Sequence, residues 1–189
     1  NHTTEDGTEV FWPFQRDPET LARDWAIPGT PGLMHRIGGL EKQDGSGNVS
    51  YDSANHERMV HLRAEKVAGI AKDIPEVQVE GDVDDAELLL VGWGSTWGAI
   101  DGAYGRLRND GRRVAKVHLR HLNPLPPNLG DVLRRYPLVV APEMNLGQLS
   151  RLLRAEYLVD VRSVTKVRGV PFTAGELEQA VLDLLGGAR

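Results

Sequence analysis

The chain has 189 residues, 40% hydrophobic and 26% charged, with a net charge of −5 and no cysteine. That is ordinary for one globular domain with an extension. It argues against a nucleic-acid partner, which a basic surface would serve, and excludes disulfides, thiolate metal sites and a catalytic cysteine. No apolar run reaches membrane-spanning length, and the polar, acidic start from Asn1 to Glu9 is unlike a secretory signal, so a cytoplasmic protein is expected. An N-terminal residue other than Met suggests a piece of something larger.

Residues 1–50 read as an extended arm. Pro13, Pro18, Pro28 and Pro31 forbid a long helix. Ile27-Pro-Gly-Thr-Pro-Gly32 signals a double turn, and Asp44-Gly-Ser-Gly-Asn48 a hairpin or loop. So long an arm makes sense if it packs on another domain or chain.

Helix and strand signals then alternate. A helix is expected over residues 53–73, capped by Ser53, with Met59, Leu62, Lys66, Val67 and Ile70 on its apolar face. Leu88–Gly92 is a fully apolar run, as in a central parallel strand. Helix 96–109 stops at Gly111, and strand 113–119 follows. After the Pro-rich loop 123–128 come helix 129–136, strand 138–141, helix 146–157 and strand 159–164. Leu149, Leu152 and Leu153 are expected to face inward. Thr173 caps a last helix to Leu185, with Leu177, Val181, Leu182 and Leu185 buried. The order predicts an α/β fold, an open and mostly parallel sheet with flanking helices. The expected divisions are an arm over 1–52, a connecting helix and linker over 53–80, and the α/β domain over 81–189.

Two stretches carry candidate chemistry. Gly92-Trp-Gly94-Ser-Thr-Trp-Gly98 resembles a dinucleotide fingerprint with one extra residue before the third glycine. No acid follows the next strand to hold a ribose, although Arg120 would suit a 2′-phosphate. A tight turn that needs small residues explains the glycines better. Trp93 and Trp97 suit packing against a neighbour. At the end of the third strand Glu143, Asn145 and Gln148 cluster where open α/β sheets place their contacts, and Asn145 with Gln148 fits a helix-capping box. His118 and His121 diverge on a strand, as His56 and His61 do on a helix, so neither pair makes a joint metal site. His35 and Arg36, beside Gly38-Gly39, could meet an anion, though an interface or solvated role fits better. No nucleophile–histidine pair is defensible.

Four stretches together resemble the C-terminal part of the α subunit of 2-oxoacid:ferredoxin oxidoreductases, the 2-oxoglutarate type most closely. They are Pro28-Gly-Thr-Pro-Gly32 with Arg36-Ile-Gly-Gly-Leu-Glu41; Asn55-His-Glu-Arg-Met59; Val91-Gly-Trp-Gly-Ser-Thr96; and Asn123-Pro-Leu-Pro126 with Pro142-Glu-Met-Asn-Leu-Gly-Gln148. The resemblance implies a domain similar to the transketolase C-terminal domain. It implies a parent enzyme that oxidatively decarboxylates a 2-oxoacid to acyl-CoA, with thiamine diphosphate, Mg, coenzyme A and an iron–sulfur cluster on the β partner. Its implied partners are the β subunit, a preceding pyrimidine-type domain, and ferredoxin for the whole complex. The family's Y-P-I-T-P and G-D-G…N motifs are absent, and Leu40-Glu-Lys-Gln-Asp-Gly45 stands where E-H-x-x-x-G is commoner. No catalytic, cofactor-binding or metal residue is therefore assigned. Arg36, Trp93, Trp97, Glu143, Asn145 and Gln148 are the candidate domain or subunit contacts. The alternatives are an NADP-binding domain on Gly92, Gly94, Gly98 and Arg120, and an interaction module of another assembly.

Overall fold

A computed structural model describes residues 2–186, and the chain divides into two units, Asn1–Asp73 and Ile74–Arg189.

In the first unit, regular structure is sparse because prolines and glycines interrupt every run. Strands β1 (His2–Thr3) and β2 (Glu9–Val10) pair antiparallel. The double turn forms as expected: Thr30 N–H donates to Ile27 O at 3.1 Å and Leu33 N–H to Thr30 O at 3.4 Å. Gly29 and Gly32 supply its positive φ angles. The second turn signal closes as a hairpin loop, with Gln43 N–H on Asn48 O at 2.7 Å and Lys42 bridging Val49. Helix α1 (Ser53–Gly69) continues as one 3-10 turn to Asp73. Its cap is Asp52, not Ser53: the Asp52 carboxylate accepts from Asn55 N–H at 2.8 Å. The Asn55 amide then ties the hairpin to the helix, accepting from Asp44 N–H and donating to Lys42 O. Of the expected apolar face only Met59 is buried; Val67 and Ile70 are exposed.

The second unit contains a five-stranded sheet in the order β3-β5-β4-β6-β7. Its strands are β3 (Glu80–Gly81), β4 (Leu88–Trp93), β5 (Val114–Leu119), β6 (Val139–Glu143) and β7 (Val161–Thr165). Pairings among β4 to β7 are parallel, and β3 lies antiparallel on β5. At two residues β3 is too short to leave a period in the sequence. Alternation divides the core. Leu88 and Leu90 face Ile100, Leu107, Leu177 and Val181 of α2 (Trp97–Asn109) and α5 (Ala174–Gly186). Leu89 and Val91 face Leu129, Leu133, Leu149 and Leu153 of α3 (Leu129–Arg134) and α4 (Gln148–Tyr157).

Helix ends follow local chemistry. Thr173 caps α5 as expected: its hydroxyl accepts from Glu176 N–H, and the Glu176 carboxylate returns to Thr173 N–H at 2.7 Å. Leu182 and Leu185 are half-buried. In α4 the expected inward Leu152 is exposed, because the helix begins at Gln148 and the buried stripe runs through Leu149 and Leu153, four apart. Among the described residues no helix is long and apolar enough to cross a membrane.

Candidate functional site

The chain passes from β4 outward to β5, then back across to β6 on the other side of β4. The carboxyl ends of β4 and β6 therefore flank the point where the strand order reverses, and the helices that follow them leave for opposite faces. That is the place where an open α/β sheet presents groups to a ligand or partner.

The β4 side is a tight turn held by one side chain. The Thr96 hydroxyl donates to Trp93 O at 2.8 Å, and Trp93 N–H returns to the same hydroxyl at 3.3 Å. A short 3-10 turn over Gly94–Thr96 results, with Gly94 at φ +55°. Gly92 is required by packing: a Cβ there would lie 2.5 Å from Ile100 Cδ1 and 3.0 Å from His118 Nδ1. A turn and a packing constraint thus account for both glycines without a dinucleotide. Trp97 opens α2 and is 52% exposed, while Trp93 packs half-buried against the core of the α3/α4 face.

On the β6 side Glu143 is fully buried and turned inward. Its Oε2 accepts from Leu149 N–H at 2.7 Å and its Oε1 from Ser150 N–H at 3.0 Å, with the Ser163 hydroxyl 3.4 Å away. Those amides are orphan donors of the first turn of α4, and a carboxylate is well placed against that end of a helix. Asn145 is no helix N-cap and Gln148 is no N3 residue. The Asn145 side chain closes a turn before the helix, accepting from Gly147 and Gln148 N–H at 2.8 Å each. Gly147 takes the left-handed conformation at φ +84°, and Gln148 is the first helical residue. The expected capping box is replaced by a longer reach from the strand. What this corner offers outward is the exposed Gln148 side chain and Leu146, 71% exposed.

Around the end of β5 lies a cleft of about 340 Å³, lined among others by Val77, Glu80, Trp97, His118, Arg120 and His121. Lys116, His118 and Arg120 alternate towards one face of the strand. Lys116 is buried and pairs with Asp101 and with Glu80 at 3.1 Å, below the rings of Trp97 and Tyr104. Burial works against its charge, but Asp101 and Glu80 prevail and hold its pKa above the ordinary value. Burial pulls the His118 pKa below its ordinary value. Among the described residues its Nδ1 has no hydrogen-bond partner. Arg120 and His121 are exposed. Of the two carboxylates in the lining, Glu80 is committed to Lys116, and Glu76 is the other. The Lys116 network was missed in the sequence, although a lone lysine inside the apolar run Val114–Leu119 is the signal that marks it.

Five of the six candidate contacts therefore line the carboxyl rim of the sheet, four of them exposed or half-exposed: Trp93, Trp97, Asn145 and Gln148. Arg36 belongs to the other unit, where it is exposed.

No family model matches the chain. A protein named 2-oxoglutarate oxidoreductase subunit KorA, from Mycobacterium tuberculosis, is 57% identical over 186 residues, covering 98% of this chain and 28% of that protein. A 2-oxoacid:ferredoxin oxidoreductase 1, subunit alpha, from Aeropyrum pernix is 36% identical over 187 residues, 94% of this chain and 29% of that one. A solved structure of 2-oxoglutarate:ferredoxin oxidoreductase from Magnetococcus marinus, holding 2-oxoglutarate, coenzyme A and succinyl-CoA, matches 97% of this chain and 32% of its own. Its TM-score is 0.82 at 30% identity. This chain thus spans under a third of the length of each of these proteins.

Proposed function

We propose, from a chain homologous along nearly its whole length to part of the α subunits of 2-oxoacid:ferredoxin oxidoreductases, that it is the C-terminal assembly part of such a subunit. The observation that carries this reading is the 57% identity over 98% of the chain. The parent enzyme oxidatively decarboxylates a 2-oxoacid, 2-oxoglutarate in the first instance, to acyl-CoA and passes electrons to ferredoxin in the cytoplasm. The rim of the sheet, with Trp97, Leu146 and Gln148 outward, docks on the β subunit. Residues 1–52 extend from a pyrimidine-type domain, and 53–80 connect them to the α/β domain.

The residues of this chain do not suit a metal centre or a cluster of their own. Among the described residues no group of three or more His, Cys, Asp or Glu could hold a metal ion. Glu143, the carboxylate at the switch point, is closed onto its own helix. With no cysteine, the chain has no thiolate for an iron–sulfur cluster. Thiamine diphosphate and the cluster are assigned to other parts of the enzyme, and no chemical step is assigned to this chain.

The test is assembly. Trp97→Ala and Leu146→Asp, made in the full α subunit, are expected to lower co-purification with β while leaving the melting temperature of α unchanged. Normal assembly of both variants would remove the rim from the interface. Turnover of 2-oxoglutarate by the isolated chain would defeat the whole reading.

A further inference from the structure

Arg23, Arg36 and Lys66 line one pocket of about 250 Å³ in the first unit, together with His35, Phe14 and Trp25. Among the described residues none of the three cations has a carboxylate partner, although this unit is rich in carboxylates that pair elsewhere: Asp44 with Arg16 and Arg58, Glu41 with Arg63. Asp24, in the same lining, pairs with none of them. Arg23 is held in place by stacking, its Cζ 4.3 Å from the centroid of the Phe14 ring. The His35 ring is fixed by Nδ1, which donates to Leu33 O at 2.8 Å, and by an edge contact with Phe11 at 5.3 Å. Its Nε2 is left for something else. The indole of Trp25 stands at the mouth, 95% exposed. The positive field reaches Arg16. Its pKa is lowered by burial first and then, against the pull of Asp44, by Arg23 and Arg63.

Unpaired cations that are positioned but not neutralised are what a phosphate or carboxylate group requires. The volume lies below the range of about 300–1,000 Å³ typical of drug-sized ligands. We propose that this pocket binds a small polyanion with two or more acidic groups, a phosphate compound or a dicarboxylate. Arg23 and Arg36 make the charge-assisted contacts and Lys66 closes the site from α1. The site is built from residues of the first unit alone and does not depend on the assembly reading.

Phenylglyoxal labelling of arginines in the intact enzyme, read by mass spectrometry, tests the proposal. Pyrophosphate and glutarate serve as the two probes. Arg23 and Arg36 are expected to label freely without probe and to be protected together, saturably, by at least one of the two. The protecting probe distinguishes a phosphate from a carboxylate ligand. Lys66→Met should raise the concentration needed for protection about tenfold, and Lys66→Arg should restore it. Equal labelling with and without both probes would overturn the proposal. So would arginines already shielded before any probe is added, because another protein surface then fills the pocket.

Discussion

Glu143 holds the corner of the second unit through two amides that lie six and seven residues further along the chain. Glu143→Ala leaves both without an acceptor in a buried place, and is expected to cost about 2 kcal/mol. Glu143→Gln keeps one acceptor and should cost about 1 kcal/mol. A lower urea midpoint at unchanged slope checks both. Ser163→Ala, at the long end of the same cluster, should stay within about 0.5 kcal/mol. Glu176 makes a prediction about acid. The Lys166 ammonium, then the Thr173 amide, lower its pKa from 4.5 to about 2. A carboxylate depressed in the folded state contributes fully above about pH 4.5, and its contribution drains away as pH falls towards 2. Melting temperature against pH should therefore fall less steeply over that window in Glu176→Gln than in the parent. A parallel pair of curves would contradict the assignment.

At the scale of elements, sequence periodicity located each helix and the four longer strands, because runs such as Leu88–Val91 and Leu149/Leu153 are set by burial. Element ends were less legible. Local patterns put the α1 cap at Ser53 and the α4 cap at Asn145, one and two residues from the positions that precede the observed helices. A cap depends on backbone angles that composition constrains weakly. The Glu143 carboxylate was legible as a feature of the site but not by its direction, since its partners lie on another element. The lysine of the Lys116–Asp101–Glu80 network left a signal in its apolar run, but its partners were not legible, because they lie on two other elements that only the folded sheet brings together. The turn itself can be tested at Gly147. A side chain there would sit in the left-handed region and 3.1 Å from Ser150 Oγ. Gly147→Ala should cost about 1 kcal/mol, and Gly147→Asn less, since Asn tolerates that conformation better. Thermal denaturation of the two variants side by side reads the difference.

At the scale of the whole molecule, the two units are unequal in what they bury. Nearly all fully buried apolar side chains belong to the second unit, whose two core clusters are self-contained. In the first unit Met59 and Pro13 are the buried apolar side chains among the described residues, while Trp25, Ile27, Met34, Ile37 and Tyr51 are exposed. Chain ordering costs about 1–2 kcal/mol per residue before any burial offsets it. Residues 74–189 produced alone are therefore expected to give a dispersed NMR spectrum and one cooperative melt. Residues 1–73 alone are expected to give neither. A cooperative melt from the shorter piece would show that the arm needs no covering surface.

The sheet is unequal in a related way. The two residues of β3 run against the direction of the others and close the outer side of part of β5. At the far end β7 has no strand on its outer side among the described residues, and Arg162, Ser163 and Thr165 stand exposed along it. Of the two edges, β7 with five residues offers a longer unpaired run for strand addition than β3 with two. Self-association of the separated α/β unit would begin at β7, where the Arg162 charge is the group set against it.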